Sequence, residues 1–194
     1  MTGVQTCALP ILETIKAAGL QAVVTFAVHR EGTLRDVADP AEACLMAEQA
    51  GADVVGLNCI RGPLTMLPLL APIRAAVSCP VAALPVPYRT TAAEPSMQSL
   101  RDPVREGAQA FPTALEPFTC TRHELAGFTV EALAAGVTYL GICCGAGPQH
   151  VRAMAEAAGK TPEASRYSPD MSKHSFLGSA PGITQSYREY APNL

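Results

Sequence analysis

Clusters of lysine and arginine are missing from this sequence. Its 14 basic side chains are scattered among 17 acidic ones, for a net charge of −3. That balance argues against a nucleic-acid surface or a polybasic membrane patch. Long apolar runs are missing too. Each is broken by Pro, Arg or Gly before it reaches the roughly 20 residues that a bilayer span needs. The opening stretch, MTGVQTCALPI, carries no charge at all. Without a basic n-region, and with too short an apolar segment, it does not fit a secretory leader. Charged residues are scarce overall, at 16% against 48% hydrophobic, which marks a globular chain rather than a disordered one. Its 194 residues suffice for one domain with a substantial core.

The opening stretch shows neither a helical nor a strand period. Pro10 would remove a ladder donor from a first strand. TGVQTCALPI is similar to the in-frame translation of a common sequencing-library adapter. On that reading residues 1–11 are foreign to the fold and the gene extends upstream; the alternative is a frayed N-terminus.

One unit recurs in the remainder. KAAGLQAVVTF, QAGADVVGLNC and AAGVTYLGICC each close a helix with glycine and then run apolar. Gly19, Gly51 and Gly136 fit the left-handed position just past a helix. Residues 22–28, 54–59 and 139–144 are nearly continuously apolar, as parallel strands covered by helices are. A fourth strand, 81–86, follows Cys79-Pro80. One helix is capped by Asp39 with Pro40 in its first turn. A second covers 63–77, where Pro68 and Pro72 should break or kink it. Thr121 caps a third, with Glu124 completing a capping box, and Pro148 opens a fourth.

The order βαβαβ…αβα defines an α/β chain with right-handed crossovers and a parallel sheet. Four strands cannot close an eight-stranded barrel, which typically takes about 250 residues. The pattern fits the second half of such a barrel, beginning in the helix before its fifth strand. Residues 87–120 form a long loop of the kind that serves a site or an interface. From Thr161 onward the chain turns polar and irregular, which suits a surface arm or an oligomer contact better than a second domain. The resulting division is 1–11, 12–160 and 161–194.

Seven cysteines raise the question of disulfides. The chain is not small, and six of the seven fall in or beside regular elements. Thiols or metal ligands in a reducing cytoplasm are the better reading. Cys59 ends one strand; Cys143 and Cys144 end another. Sites in parallel α/β proteins form at the carboxyl ends of strands. Three thiolates there would suit Zn²⁺. Neighbours on an ideal strand point to opposite faces, so Cys143 and Cys144 can share a metal only if the strand end is distorted. Gly141 and Gly145 permit that. The alternative is three small buried hydrophobes.

GICCGAGPQH has a second reading as a phosphate-binding turn before a helix, and a third as tight strand-to-helix packing. Cys44 and Cys79 fit the core. Cys120 precedes a helix, where a thiol pKa can fall, or is an inert loop thiol. His29, His123, His150 and His174 show no ligand spacing, and His123 and His150 fit solvated first turns of helices. Asn58, beside Cys59, and Glu116, in ALEP, are the candidate substrate-binding residues.

GADVVGLNC, then ALEPFTCTRHE, then GVTYLGICCG followed by PQHVRAMAE, resemble the homocysteine S-methyltransferases. The tail SRYSPDMSKHSFLGS, followed by REYAPNL, is similar to the betaine–homocysteine branch. The resemblance implies a (β/α)₈ TIM barrel, here its C-terminal half with about strands 5–8, plus a C-terminal dimerisation arm. It implies Cys59, Cys143 and Cys144 as zinc ligands, homocysteine as methyl acceptor, and betaine as donor. The first half of such a barrel supplies acidic groups for the homocysteine amine and aromatics for betaine. Those residues are not in this sequence, and tryptophan is absent. An acidic residue that some members carry before Phe-Pro is Ala110 here. The expectation is a fragment without turnover of its own. A donor such as S-methylmethionine, or a non-catalytic zinc-binding half barrel that self-associates, stays open.

Overall fold

The computed structural model describes residues 4–34, 39–181 and 189, with side chains from residue 9 onward. Helices and strands alternate as α1 (Val4–Ala17), β1 (Val23–Phe26), α2 (Pro40–Gln49), β2 (Val54–Asn58), α3 (Pro63–Ala76), β3 (Val81–Leu84), α4 (Arg122–Ala134), β4 (Tyr139–Leu140) and α5 (Pro148–Ala157). The four strands form one parallel sheet in the order β1-β2-β3-β4. The chain divides into two compact units, Met1–Lys160 and Thr161–Leu194.

Each helix starts and stops for a local reason. The Asp39 carboxylate accepts from the amides of Ala41 and Glu42 at the start of α2. Thr121 and Glu124 form a reciprocal capping box on α4. Gly19, Gly51 and Gly136 all take positive φ just past their helices. Helix α3 differs from expectation. It runs unbroken from Pro63 to Ala76 with Pro68 and Pro72 inside it. Its buried face, Met66, Leu70 and Ile73, gains more from packing than two missing donors cost.

The opening stretch, which shows no helical period in its sequence, is helical from Val4. Helix α1 passes through Pro10. Leu12 is buried and Ile15 packs on the core, so one face of the helix is apolar. Asp53 accepts from Lys16 Nζ at 2.8 Å and from Ala22 N–H at 2.7 Å, which ties α1 to the start of the sheet.

The main core joins Val55 and Leu57 of β2, Val81 and Ala83 of β3, and the inner faces of α2, α3 and α4. The strands are shorter than the apolar runs. Residues 87–120 are more than a loop. They hold two short 3₁₀ turns, Met97–Ser99 and Glu116–Phe118. They contribute Met97, Leu100, Ala110 and Leu115 to a second core with Val86, and Cys59, Tyr88 and Cys143 pack against it. An apolar cleft of about 500 Å³ opens beside β4, lined by Leu140, Ile142, Val151 and Met154 among others. The second unit, taken alone, contains 3₁₀ turns at Glu163–Tyr167 and Met171–Lys173. Among the described residues no helix is long and apolar enough to cross a membrane.

Candidate metal centre

Strand β2 ends at Asn58, and Cys59 takes the next position. Its N–H still donates to Leu84 O at 2.8 Å, so the residue is held at the strand end. There the chain turns sharply: Cys59 has φ 59° and Ile60 φ 61°. Two strands away, β4 stops at Leu140. The chain beyond it is pinned by Gly141 N–H to Ala83 O at 3.2 Å and Cys143 N–H to Pro85 O at 2.8 Å. A β-turn then closes over residues 143–146, with Ala146 N–H donating to Cys143 O at 3.3 Å. Gly145, third in that turn, has φ 92°, which a side chain would resist. Cys143 and Cys144 thus lie past the ladder, and strand alternation does not force them apart.

The sulfurs converge. Cys59 Sγ lies 3.7 Å from Cys144 Sγ, and Cys143 Sγ lies 3.7 Å from Cys144 Sγ. All three fall within 4.8 Å of one another. A tetrahedral ion with Zn–S bonds of ~2.3 Å needs sulfurs ~3.8 Å apart. The donor set fits Zn²⁺ in both softness and spacing. Cys59 and Cys143 are half-buried and Cys144 is exposed, so one side of the cluster faces outward. Burial pushes the metal-free Cys59 thiol up to about 12, and the neighbouring thiols push the same way. Among the described residues no histidine or carboxylate joins the three sulfurs.

Tyr88, which sequence reasoning passed over, lies beside the cluster, and His150 holds the loop that carries it. The Tyr88 phenol lies over Gly145, where a Cβ would stand 2.2 Å from its hydroxyl oxygen. Its pKa is raised by burial first, then by the charges of Glu116 and Cys144. Its sequence signal was position: it follows β3 at the strand end where sites form. His150 is the correction. Its first-turn position predicts solvent exposure, but it is 4% exposed. Its Nδ1 accepts from Gly147 N–H at 3.0 Å, which leaves Nε2–H to donate to Cys120 O at 3.1 Å. One ring thus ties the loop of Cys143 and Cys144 to the start of α4. It also consumes the Gly147 N–H that a phosphate would need.

The other candidates fall where their surroundings dictate. Asn58 is the last residue of β2, half-buried. Glu116 is exposed in its 3₁₀ turn and acts on Tyr88 through charge. Cys44 is fully buried, donates to Gly56 O at 3.9 Å, and is pushed up to about 12 by burial. Cys120 is buried and pushed up to about 11, chiefly by desolvation, so the helix start does not activate it.

A family model described as Homocysteine S-methyltransferase matches residues 5–158. The chain is 36% identical to betaine–homocysteine S-methyltransferase 1 of Danio rerio, over 87% of this chain and 41% of the relative. It is 31% identical to the S-methylmethionine–homocysteine S-methyltransferase of Pongo abelii, over 94% of this chain and 51% of the relative. It is 32% identical to betaine–homocysteine S-methyltransferase 1 of Mus musculus, over 94% and 46%. The chain spans about half the length, or less, of these curated relatives.

Proposed function

The chain belongs to the homocysteine S-methyltransferase family, and from that premise we propose that Cys59, Cys143 and Cys144 hold a catalytic Zn²⁺ for methyl transfer to homocysteine. The observation that carries this reading is the pair of 3.7 Å Sγ separations. Bound there, Zn²⁺ would lower the thiol pKa of homocysteine and hold its sulfur as a thiolate at the open fourth position. The three cysteine thiolates leave the site with net negative charge, which keeps a substrate sulfur electron-rich. Exposed Cys144 marks the side from which substrate enters. Asn58 and Glu116 are the proposed substrate contacts, with Tyr88 beside them.

Transfer forms a sulfur–carbon bond and breaks the bond from the methyl carbon to its donor heteroatom. The donor leaves with the electron pair and needs no general acid, whether it is a quaternary ammonium such as betaine or a sulfonium such as S-methylmethionine. Both donors occur in the names of relatives. Betaine is the proposed donor, because the first and third relatives above carry it.

The proposed frame is the C-terminal half of a (β/α)₈ barrel at residues 12–160, with an oligomerisation arm at 161–194. Six free cysteines among the described residues and a proposed trithiolate site suit a reducing compartment such as the cytoplasm. Among the described strands β1 and β4 each have one unpaired edge, so the mouth is open to water and the donor has no opposite wall. The chain alone is therefore expected to bind zinc and homocysteine without turnover. The test incubates zinc-loaded chain with homocysteine and betaine or S-methylmethionine, and follows methionine by mass spectrometry. Saturable homocysteine binding that requires the metal supports the site. Methionine formation would overturn the expectation of no turnover, and metal-independent homocysteine binding would overturn the site.

A further inference from the structure

The turn that carries Cys59 adopts a conformation that ordinary side chains resist. Cys59 and Ile60 stand consecutively in the left-handed region. For a β-branched residue this is a genuine outlier, and it persists only where the surroundings over-determine it. Part of the restraint comes from the β3 side. Met97 N–H donates to Ile60 O at 2.8 Å, and Val86 N–H donates to Arg61 O at 3.0 Å.

Among the described residues, the restraint on the β1 side is the side chain of Arg61. Arg61 is 7% exposed. Its Nε donates to Val28 O at 3.2 Å. Its Nη2 donates to His29 O at 2.6 Å and Arg30 O at 3.3 Å, and its Nη1 to Thr65 O at 3.4 Å. Every one of these partners is a backbone carbonyl, and Glu31 acts only through charge. Three of the carbonyls belong to the chain leaving β1. A single guanidinium thus couples the ends of two neighbouring strands, two residues from a proposed metal ligand.

We infer that Arg61 is a positioning residue for the metal centre: it straps the left-handed turn so that Cys59 Sγ stays beside Cys144. The inference rests on the zinc reading above. The planar fork of an arginine spreads its five donors over several acceptors, whereas the three donors of a lysine share one nitrogen. Without the strap the turn relaxes toward an ordinary conformation, and Cys59 swings away from the other two sulfurs. Groups that orient metal ligands from behind typically account for 10–100-fold in metal affinity.

The test compares the unaltered chain, Arg61→Met and Arg61→Lys by zinc competition against a chelator and by the absorption spectrum of the Co²⁺-substituted protein. Both variants should bind at least about tenfold more weakly, with altered thiolate-to-cobalt bands. Unchanged affinity and spectrum in a folded Arg61→Met would overturn the inference, however far its melting temperature falls. If that variant does not fold, Arg61→Lys decides, and unaltered affinity and spectrum there overturn it equally. An unaltered chain that binds no metal would instead bring down the zinc reading, and this inference with it.

Discussion

The Sγ atoms of Cys59 and Cys144 lie 3.7 Å apart, although 85 positions separate the residues in the chain. The parallel sheet brings them together. Strands β2 and β4 both pair with β3, in the same direction, and all three end at one edge. Backbone bonds from Cys59 to Leu84 and from Cys143 to Pro85 extend that alignment past the ladders. The site follows from strand direction and register and needs no long side chain to span a gap.

Thiol labelling should reflect this layout. In metal-free chain under native conditions, Cys144, which is exposed, should react first with an alkylating reagent. Cys44 and Cys120 are buried with raised pKa values, and should react only on unfolding. Peptide mapping after brief alkylation gives the order. Zinc should protect Cys144, and equal labelling with and without zinc would remove it from the ligand set.

Gly145→Ala should destabilise the chain by about 1–3 kcal/mol, because the residue sits at positive φ. Its new Cβ would also meet the Tyr88 hydroxyl. In a Tyr88→Leu background the same substitution should cost less. Urea denaturation of the four chains measures this coupling. An equal cost in both backgrounds would show that the phenol does not press on the turn.

His150→Phe keeps the ring but leaves Gly147 N–H and Cys120 O without their partner. The expected loss is about 2 kcal/mol. His150→Asn can accept from Gly147 N–H again and should recover part of it. A phenylalanine variant as stable as the parent in urea denaturation would mean that water replaces both bonds.

Glu124 carries the acid response at this end of α4. Hydrogen bonds from Arg89 hold its carboxyl down to about 2. A group depressed in the folded state contributes fully above its unfolded pKa of about 4.3 and loses that contribution as the pH falls toward 2. Both partners of the pair are more than 40% exposed, with relative areas of 44% and 42%. Solvent screening therefore limits the effect to under about 1 kcal/mol. Glu124→Gln should flatten the stability profile between pH 4.3 and 2, a window set by these two values. An unchanged slope would assign the acid response to other carboxylates.

Much of this was legible in the sequence because it rests on local chemistry. Asp39-Pro40, Thr121 with Glu124 and the glycines after α1, α2 and α4 announce their helix ends without tertiary context. The apolar runs announce parallel strands, and cysteines at the ends of two of those runs announce the cluster. What stayed hidden depends on contacts distant in sequence. Ile60 in a left-handed conformation contradicts its own propensity, and the contacts around it come from far along the chain: Met97 and Val86 bond the turn, and Arg61 gathers the carbonyls of residues 28–30. His150 looks like a solvated first-turn residue until Cys120 O, 30 positions earlier, is placed opposite its ring. The unbroken α3 shows packing overriding two prolines. Helix α1, anchored by Leu12 and the Lys16–Asp53 bridge, runs back to Val4 into a stretch with no visible period.

The central claim is that Cys59, Cys143 and Cys144 hold one zinc ion. Zinc content per chain, measured by elemental mass spectrometry on protein purified under reducing conditions, tests it most directly. The account predicts one zinc per chain, lost in Cys143→Ser. A folded, monodisperse chain that carries no zinc would contradict it.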